Sequence, residues 1–278
     1  MRLATWNVNS IRSRASRVVD WIGRADVDVL AMQEIKCRPE QFPLHEFEAA
    51  GYEVAVHGLN QWNGVAIASR IGLGDVATEF PGMPGFAKGH EGPGAPREAR
   101  AIGATVDGVH VWSLYVPNGR AVDDPHYDYK LDFMAALTEA TRRWLSADPR
   151  LPLALVGDFN IAPRPEDVGD PSIVEGVSTH VSPREREAFT TLETAGLQDL
   201  VRPLVPTGYT YWDYKAGRFR NDEGLRIDFV LGSAALADTV VSAEIVREER
   251  NGETPSDHVP VLVEFADDND NDDRPMVF

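Results

Sequence analysis

Leu153-Ala154-Leu155-Val156-Gly157-Asp158-Phe159-Asn160 is an apolar, strand-like run that ends in a polar cluster. A continuously apolar run is expected for a strand that is buried on both faces, as in α/β proteins. Gly157 permits a sharp turn or a close ligand approach. Asp158 and Asn160 are two residues apart, so in an extended segment their side chains point the same way, although an ordinary Asp-Asn turn explains the pair adequately by itself. The stretch predicts a buried strand with polar side chains at its end.

Runs of the same kind recur along the chain and alternate with helical patterns. The strand-like runs are residues 2–8, 27–32, 52–56, 65–69, 99–106, 109–116, 153–156, 226–231, 240–246 and 259–265. Apolar residues at helical spacing occur in residues 11–22 and 131–145, and a third helix is predicted after Ser182 with Pro183 in its first turn. Residues 81–96 hold five Gly and four Pro and are predicted to be a loop, which is either an ordinary surface excursion or a lid or substrate-facing loop. Because strands and helices interleave without a break in composition, we expect a single α/β domain over residues 1–265, with two sheets covered by helices.

Length and composition limit the class of protein. With 278 residues, of which 43% are hydrophobic, the chain can bury a large core. Cys37 is the only cysteine, which excludes an internal disulfide and favours a reducing compartment. The first residues are strand-like rather than typical of a secretory signal, and no apolar run approaches the length that spans a bilayer. We therefore expect a cytoplasmic protein without membrane association, with a monomer as the default state.

The formal net charge of −17 bears on possible partners. Residues 266–278 contribute −4 and form an acidic tail that is expected to be disordered, so the rest of the chain still carries −13. Affinity for nucleic acid comes largely from Lys and Arg, so this balance argues against a protein that binds DNA or RNA through broad electrostatics. It does not exclude an enzyme that meets DNA over one local basic patch, with a metal ion neutralising phosphate at the point of reaction.

Two carboxylates lie where apolar runs predict strands. Glu34 follows the run at residues 27–32, which delivers it to the rim of a sheet, although a solvated carboxylate there is an equal alternative. Asp228 lies within the run at residues 226–231, and burying a charge in this way is costly unless the charge is paired. Its partner is expected to be Arg226 or a backbone amide if the role is structural, and His258 if it is functional.

Further polar residues stand at the ends of other strands. Asp257 and His258 precede the run at residues 259–265, and they can share one site only on the turn before it, because adjacent residues on a strand face opposite sides. Tyr115 lies near the end of the run at residues 109–116. Its phenol is expected to hydrogen-bond either a phosphoryl oxygen or, as a core residue, a backbone group.

These clusters belong together chemically. The ends of strands are where an α/β scaffold brings side chains from distant parts of the sequence to one place. Carboxylates and amides suit a hard divalent cation, and they are accompanied here by a tyrosine and by a histidine with a carboxylate. The residue types therefore predict an enzyme that hydrolyses a phosphate ester with a divalent metal ion.

Eight motifs, spread from residue 2 to about residue 265, extend this pattern. They are Thr5-Trp6-Asn7-Val8-Asn9-Ser10, Gln33-Glu34-Ile35-Lys36, Tyr115-Val116-Pro117-Asn118-Gly119, Gly157-Asp158-Phe159-Asn160, Ser182-Pro183-Arg184-Glu185-Arg186-Glu187, Tyr209-Thr210-Tyr211-Trp212-Asp213-Tyr214, Gly224-Leu225-Arg226-Ile227-Asp228 and Ser256-Asp257-His258. In these motifs the chain resembles the exonuclease III family of AP endonucleases, within the endonuclease/exonuclease/phosphatase superfamily. The resemblance implies a four-layer α/β sandwich, with two mixed β-sheets packed face to face and helices on the outside.

The resemblance also implies roles for the matched residues. The principal metal ligand, for Mg²⁺ or Mn²⁺, would be Glu34, with Asp257 and Asn9 nearby. Asp158, oriented by Asn160, would align or deprotonate the attacking water, and His258, held by Asp228, would stabilise charge on the phosphoryl oxygens. The residues that would hydrogen-bond the phosphate are Asn7, Tyr115 and Asn118. The sequence leaves Asp158, Tyr115 and His258 all open as the general base.

The implied substrate is double-stranded DNA with abasic sites or blocked 3′ ends. The implied activities are incision 5′ to abasic sites, 3′-phosphodiesterase and phosphatase action, and 3′→5′ exonuclease action in base-excision repair. Tyr211, Trp212 and Leu225 would line a pocket for a flipped-out abasic sugar, or the aromatic stretch is instead a core strand. Lys36, Arg12, Arg14, Arg218 and Arg220 are candidates for contacts with the DNA backbone, or are solvated surface charges.

Two other functions compete with this interpretation. The same scaffold can act on RNA or on a small phosphoester, because a fold does not determine its substrate. A non-catalytic binding protein built on the fold is expected to have lost one or more of the implied active-site residues. Since all of them are present, the sequence favours an enzyme.

Overall fold

The computed structural model describes residues 1–87 and 94–266 and contains twelve β-strands in that part of the chain. The strands are β1 (Arg2–Asn7), β2 (Val29–Gln33), β3 (Glu53–His57), β4 (Val65–Ser69), β5 (Gly74–Ala77), β6 (Ala101–Val106), β7 (Val109–Tyr115), β8 (Leu153–Asp158), β9 (Leu197–Asp199), β10 (Asp228–Ser233), β11 (Val240–Ile245) and β12 (Val261–Phe265). They form two six-stranded sheets, in the orders β11-β12-β1-β2-β4-β3 and β5-β6-β7-β8-β10-β9. The continuously apolar β2, β4 and β8 are buried throughout, as the sequence predicts for strands covered on both faces.

The helices are α1 (Ala15–Arg24), α2 (Leu44–Ala49), α3 (Pro125–Ala147), α4 (Pro183–Glu193), α5 (Arg218–Asn221) and α6 (Ala234–Ala237). Helix α3 begins earlier than its apolar spacing predicts, because the side chain of Asp124 caps it by accepting the backbone N–H of His126 at 2.8 Å. Helix α4 begins where the sequence predicts, after Ser182. The Ser182 and Glu185 side chains there accept each other's backbone N–H groups, which forms a capping box.

Three apolar cores separate four layers. One lies between the sheets and contains Ile67, Val156 and Val230. A second lies between the first sheet and helices α1 and α2, and a third lies between the second sheet and helices α3 and α4. This arrangement of helices, sheet, sheet and helices confirms the four-layer α/β sandwich with two mixed sheets.

Each sheet contains one parallel pair of strands at its centre. The pairs are β1 with β2 and β7 with β8, and the other strand pairings are antiparallel. At the carboxyl ends of these pairs, Asn7 lies opposite Gln33, and Tyr115 lies opposite Asp158. The sheets are also joined by hydrogen bonds beneath these residues, since Gln33 Nε2 donates to Ser113 Oγ at 2.9 Å. The two carboxyl-terminal edges therefore meet at one end of the sandwich.

Gly157 shows why a residue without a side chain is needed between β7 and β8. It has φ of +142°, and a Cβ atom at this position would lie 2.0 Å from the carbonyl oxygen of Leu114. The close approach that the sequence suggests at this glycine is thus to the neighbouring strand.

The differences from the predicted elements concern short or irregular segments. Strands β5 and β9 and helices α2, α5 and α6 are not indicated by the sequence pattern, because each is too short to show a clear period. The aromatic stretch at residues 209–214 is not a regular strand, and Tyr211 forms isolated bridges with Leu225 and His258. Within the predicted loop at residues 81–96, positions 88–93 lie outside the described residues, as does the acidic tail from residue 267. None of the described helices has the length and apolar character needed to cross a membrane.

Candidate active site

Asn7 connects the two sheets at the end of the sandwich where the polar strand ends meet. It is fully buried, and its Nδ2 donates to Glu34 Oε1 and to Asp158 Oδ2, both at 2.9 Å. Its Oδ1 accepts the backbone N–H of Asn9 at 3.0 Å. Asn7 therefore fixes one carboxylate from each sheet with respect to the other. Its predicted contact with phosphate stays a prediction.

Asp158 is the buried carboxylate at the centre of the site. Its Oδ1 accepts the backbone N–H of Asn160 at 2.9 Å, so Asn160 orients Asp158 through its main chain rather than through its side-chain amide. Burial raises the pKa of Asp158 to about 7; the charge of His258 opposes this rise, and the negative charges of Asp228 and Glu34 add to it. A carboxyl group with such a pKa is suited to exchange a proton near neutral pH.

His258 lies on the other side of Asp158 and is held by Asp228. The distance from His258 Nδ1 to Asp228 Oδ2 is 2.8 Å, and that from Nε2 to Asp158 Oδ2 is 3.8 Å. Of the partners that the sequence leaves open for Asp228, the structure thus shows His258, while Arg226 donates to the carbonyl of Val205. Burial alone lowers the pKa of His258, but the charges of Asp228 and Asp158 outweigh it and raise the pKa to about 10. The imidazole is therefore charged at neutral pH.

The pKa of His258 gives a prediction for the metal-free protein. In EDTA, the His258 ring signal in an NMR titration is expected to remain that of the protonated form through neutral pH and to change near pH 10. The stabilisation from His258 is then complete below its ordinary pKa of 6.5, and it is lost as the pH rises through about 10. Asp228→Asn removes the charge that raises the pKa of His258 most, so the change in the NMR signal and the loss of stability should both move to lower pH. Asp148→Asn should leave both at the pH seen in wild type. A wild-type midpoint near 6.5 would contradict the prediction.

Glu34, Lys36, Asn9 and Asp257 form the more accessible part of the site. Lys36 Nζ lies 2.8 Å from Glu34 Oε2 and donates to Asn9 Oδ1 at 2.5 Å, and Asn9 Nδ2 donates to Asp257 Oδ1 at 2.9 Å. Burial would raise the pKa of Glu34, but the charge of Lys36 and the hydrogen bonds from Asn7 and Lys36 lower it below the ordinary value. Glu34 is therefore an anion that a cation can reach.

Tyr115 places its phenol beside the Glu34 carboxylate at the end of β7. Burial raises the pKa of Tyr115 well above its ordinary value of 10, and the negative charge of Glu34 adds to this rise. The guanidinium of Arg100 lies 4.8 Å from the centre of the tyrosine ring. The phenol is therefore protonated at neutral pH and is a hydrogen-bond donor.

Asn118, Asn160 and His180 form a connected group that we call the loop cluster. Asn118 Nδ2 donates to Asn160 Oδ1 at 3.1 Å and lies 3.5 Å from His180 Nε2. His180 Nδ1 lies 2.6 Å from the carbonyl oxygen of Asn160, which assigns the proton to Nδ1 and leaves Nε2 as an acceptor. Burial and the charge of Lys130 lower the pKa of His180 to about 4, so the ring is neutral.

Several residues of the site have a backbone conformation that is uncommon for residues other than glycine. The φ angles are +42° at Asn9, +51° at Glu34, +52° at Asn160 and +78° at His180. Left-handed conformations of this kind are strained and persist where the surrounding structure determines them, typically at functional sites. The site is thus held in one arrangement at some cost in local backbone energy.

A model of the Endonuclease/Exonuclease/phosphatase family matches residues 4–258. The chain belongs to this family. Exodeoxyribonuclease III of Haemophilus influenzae is 30% identical to it over 95% of this chain and 100% of the relative. Among solved structures, the 3′ phosphatase NExo of Neisseria, bound to product DNA hairpin, is 37% identical, with a TM-score of 0.87 over 96% of this chain and 99% of that chain. An AP endonuclease from Archaeoglobus fulgidus is 32% identical, with a TM-score of 0.84 over 95% and 99%. The chain is therefore of the exonuclease III type among the DNA-repair nucleases of the family.

For a member of this family, the chemistry of the site fits a divalent cation. Glu34, Asp158 and His258 each bring one polar atom to within 4.8 Å of the others, and because the His258 ring is protonated, the two carboxylates are the candidate ligands of the three. The oxygens of Glu34 and Asp158 suit a hard cation, and Asp228 Oδ1 is a further buried carboxylate oxygen that has no hydrogen-bond partner among the described residues. This group shares only Glu34 with the set predicted from the sequence, in which Asp257 and Asn9 are the further ligands.

The structure adds one residue to the site and buries two of the residues predicted to line the sugar pocket. His180 belongs to the loop cluster but is not among the predicted residues, and its only sequence signal is its position two residues before the capping box at Ser182. Trp212 and Leu225, which the resemblance assigns to a pocket, are each 1% exposed, and the Trp212 ring packs against Tyr209 and Phe219. Tyr211 is partly exposed, and its ring lies 4.9 Å from that of His258.

Proposed function

We propose that the chain is a metal-dependent DNA phosphodiesterase that acts at abasic sites and blocked 3′ ends of duplex DNA and removes nucleotides in the 3′→5′ direction. The observation that carries this proposal is the position of Asp158, which lies between the Asn7 amide, the anionic Glu34 and the charged His258. This arrangement supports a role for Asp158 as a proton acceptor that acts beside a cation and a fixed donor, because phosphoryl transfer depends mainly on positioning and on charge stabilisation. We also propose that the protein acts as a monomer in the cytoplasm.

The pKa directions support one division of labour among the three candidates for the base. His258 is charged and Tyr115 is protonated at neutral pH, so both are donors to the phosphoryl oxygens. Asp158, whose pKa is about 7, is the group that takes the proton from the attacking water. Mg²⁺ or Mn²⁺, held by Glu34 with oxygens of Asp158, Asp257 or Asn9, would supply neutralisation of the phosphoryl charge. We infer that the loop cluster hydrogen-bonds the phosphate from the side of the second sheet.

A local basic patch supports DNA as the substrate despite the net charge of −17. Arg12, Lys36 and Arg38 line a surface cavity of about 300 Å³ together with Trp62, whose side chain is 72% exposed. We call this surface the Arg12 patch. It adjoins Glu34 through Lys36, so a strand whose phosphate lies at the site can cross it. Cations with an exposed aromatic ring suit a nucleic-acid backbone and its bases.

The Arg12 patch gives a prediction about salt dependence. Arg12→Ala and Arg38→Ala are each expected to weaken duplex binding and to reduce the slope of log K against log [salt] by about 1, because each removes one phosphate contact. Fluorescence anisotropy at several salt concentrations measures this, in an Asp158→Asn background that preserves the DNA. Arg143→Ala, on the outer face of α3, is the matched control. If the Asp158→Asn parent and its Arg12→Ala, Arg38→Ala and Arg143→Ala derivatives all show the same slope, the patch is excluded as a DNA contact.

We propose that processing of 3′ ends is faster than incision at abasic sites. Trp212 and Leu225 are buried in the core, so they offer little apolar surface to a flipped-out sugar. The Neisseria relative, at 37% identity, is described as a 3′ phosphatase. Both observations favour a terminal phosphate over an internal abasic site as the preferred substrate.

The test uses fluorescent duplexes that carry an abasic-site analogue, a nick with a 3′-phosphate, or an unmodified recessed 3′ end, each with Mg²⁺ and with EDTA. Removal of the 3′-phosphate is expected to be metal-dependent and faster than incision. Faster incision would reverse the proposed order of activities. If a folded, metal-loaded protein cleaves RNA or a small phosphodiester but none of the duplexes at low salt, the DNA proposal is wrong and the alternative substrate class is correct.

A further inference from the structure

Lys130 and Glu185 form an ion pair directly behind the loop cluster. Lys130 lies on α3 and Glu185 in the first turn of α4, and both side chains are 0% exposed. Burial lowers the pKa of Lys130, while for Glu185 the charge and hydrogen bonds of its partners outweigh burial and lower the pKa. Removing two charges from water is expensive, and a well-packed apolar pair is often at least as stable. The pair therefore calls for an explanation other than stability.

The ammonium group of Lys130 contacts two loops of the site in addition to Glu185. Its Nζ donates to the carbonyl oxygen of Asn160 at 2.7 Å and to that of Asn118 at 3.2 Å. With Glu185 as the third acceptor, its three donors are all used. One group thus fixes the loop after β7 relative to the loop after β8.

The carboxylate of Glu185 holds the third loop. Its Oε1 accepts the backbone N–H of His180 at 2.9 Å, and its Oε2 accepts the N–H and hydroxyl of Ser182 at 3.0 and 2.6 Å. Because Lys130 and Glu185 also bind each other, the backbones of Asn118, Asn160 and His180 all depend on one buried pair. The backbone of Asn160 in turn orients Asp158 through the hydrogen bond at 2.9 Å.

We propose that Lys130 and Glu185 are positioning residues for the reaction, which fix the three loops that carry the loop cluster and, through Asn160, the carboxylate of Asp158. This inference rests on the proposed function of the site. Neither side chain reaches the substrate, so the pair acts through Asn118, Asn160 and His180. Loss of the Lys130–Glu185 pair is therefore expected to lower kcat more than it weakens the binding of DNA.

The test compares wild type with Lys130→Met/Glu185→Gln, which removes both charges, preserves the approximate side-chain shapes and retains a capping residue at position 185. Steady-state kinetics on the 3′-phosphate duplex are measured at a temperature where circular dichroism shows every variant folded. We expect kcat to fall about 10²-fold, as for a misplacement of about 1 Å, with KM little changed. Leu137→Ala, a core change seven residues further along the same face of α3, should lower Tm without this loss of kcat.

A second readout does not depend on activity. In wild type the His180 ring should give the NMR signals of the neutral form protonated at Nδ1, because Nδ1 donates to the Asn160 carbonyl that Lys130 also binds. In the double variant we expect a mixture of the two neutral forms. Unchanged kcat with an unchanged His180 signal, or an equal loss of kcat in Leu137→Ala, would overturn the inference. If wild type cleaves no duplex, the proposed function is wrong, and the His180 signal alone decides whether the pair orders the loops.

Discussion

Asp158→Asn is expected to lower kcat on the 3′-phosphate duplex by about 10²–10⁴-fold, the usual contribution of a general base. The amide keeps the size of the side chain and can still accept the backbone N–H of Asn160, but it cannot take a proton from water. Because the pKa of the Asp158 carboxyl is raised from 3.8 to about 7 in the folded protein, its ionisation costs folding stability at neutral pH. The substitution removes this cost, so the metal-free variant should be no less stable than wild type.

Single-turnover kinetics with saturating enzyme separate this loss from weaker binding, and thermal unfolding in EDTA measures the stability. Asp132→Asn, which changes an exposed carboxylate on α3, is the matched control. A rate within tenfold of wild type would show that the proton goes elsewhere. In that case, His258 and Tyr115 would have to be reconsidered against their pKa directions.

Glu34→Gln is expected to weaken the binding of Mn²⁺ or Mg²⁺ strongly. Changing a residue that only hydrogen-bonds a metal ligand costs roughly 10–100-fold in affinity, and loss of the ligand's own charge should cost more. The neutral amide can still accept the hydrogen bond from Asn7 at 2.9 Å, so the position of the side chain should be preserved while its charge is lost. Activity should fall sharply at low metal concentration and recover in part at high concentration, because the loss lies in metal binding.

Titration calorimetry or Mn²⁺ paramagnetic resonance measures the affinity without turnover. Glu40→Gln changes a nearby carboxylate that is exposed and paired with Arg38, and it should leave the affinity unchanged. Equal Mn²⁺ affinity in wild type and Glu34→Gln would remove Glu34 from the ligand set. The assignment would then move to Asp158 and to the Asp257 and Asn9 pair.

The sequence predicts best those features that depend on neighbouring residues, such as the strands and the polar residues at their ends. Apolar runs predict the central strands, and the polar residues at their ends predict one shared site. The structure adds which strands are neighbours, so that Asn7 contacts Glu34 and Tyr115 lies opposite Asp158. The cost of an unpaired buried charge predicts that Asp228 has a partner, and the structure shows which of the alternatives it is, namely His258.

The remaining features depend on contacts between distant segments. His180 lies in an irregular loop with φ of +78°, where no periodicity marks it. Lys130 is buried on a long helix, and the reason is a carboxylate 55 residues away. The burial of Trp212 is decided by Phe219 and Arg247, which come from other segments of the chain. Sequence patterns do not contain such information, because it arises only when the layers pack.

The order of strands in the first sheet has a consequence for synthesis on the ribosome. Among the described strands, β1 and β12 are the farthest apart in the sequence and yet pair with each other, and the turn before β12 carries Asp257 and His258. A nascent chain can fold its second sheet early, since β5 to β10 are contiguous in the sequence. Under the proposed roles of Asp257 and His258, the site stays incomplete until the turn before β12 has been synthesised. A nascent chain that still lacks the turn with Asp257 and His258 is therefore expected to be inactive on DNA.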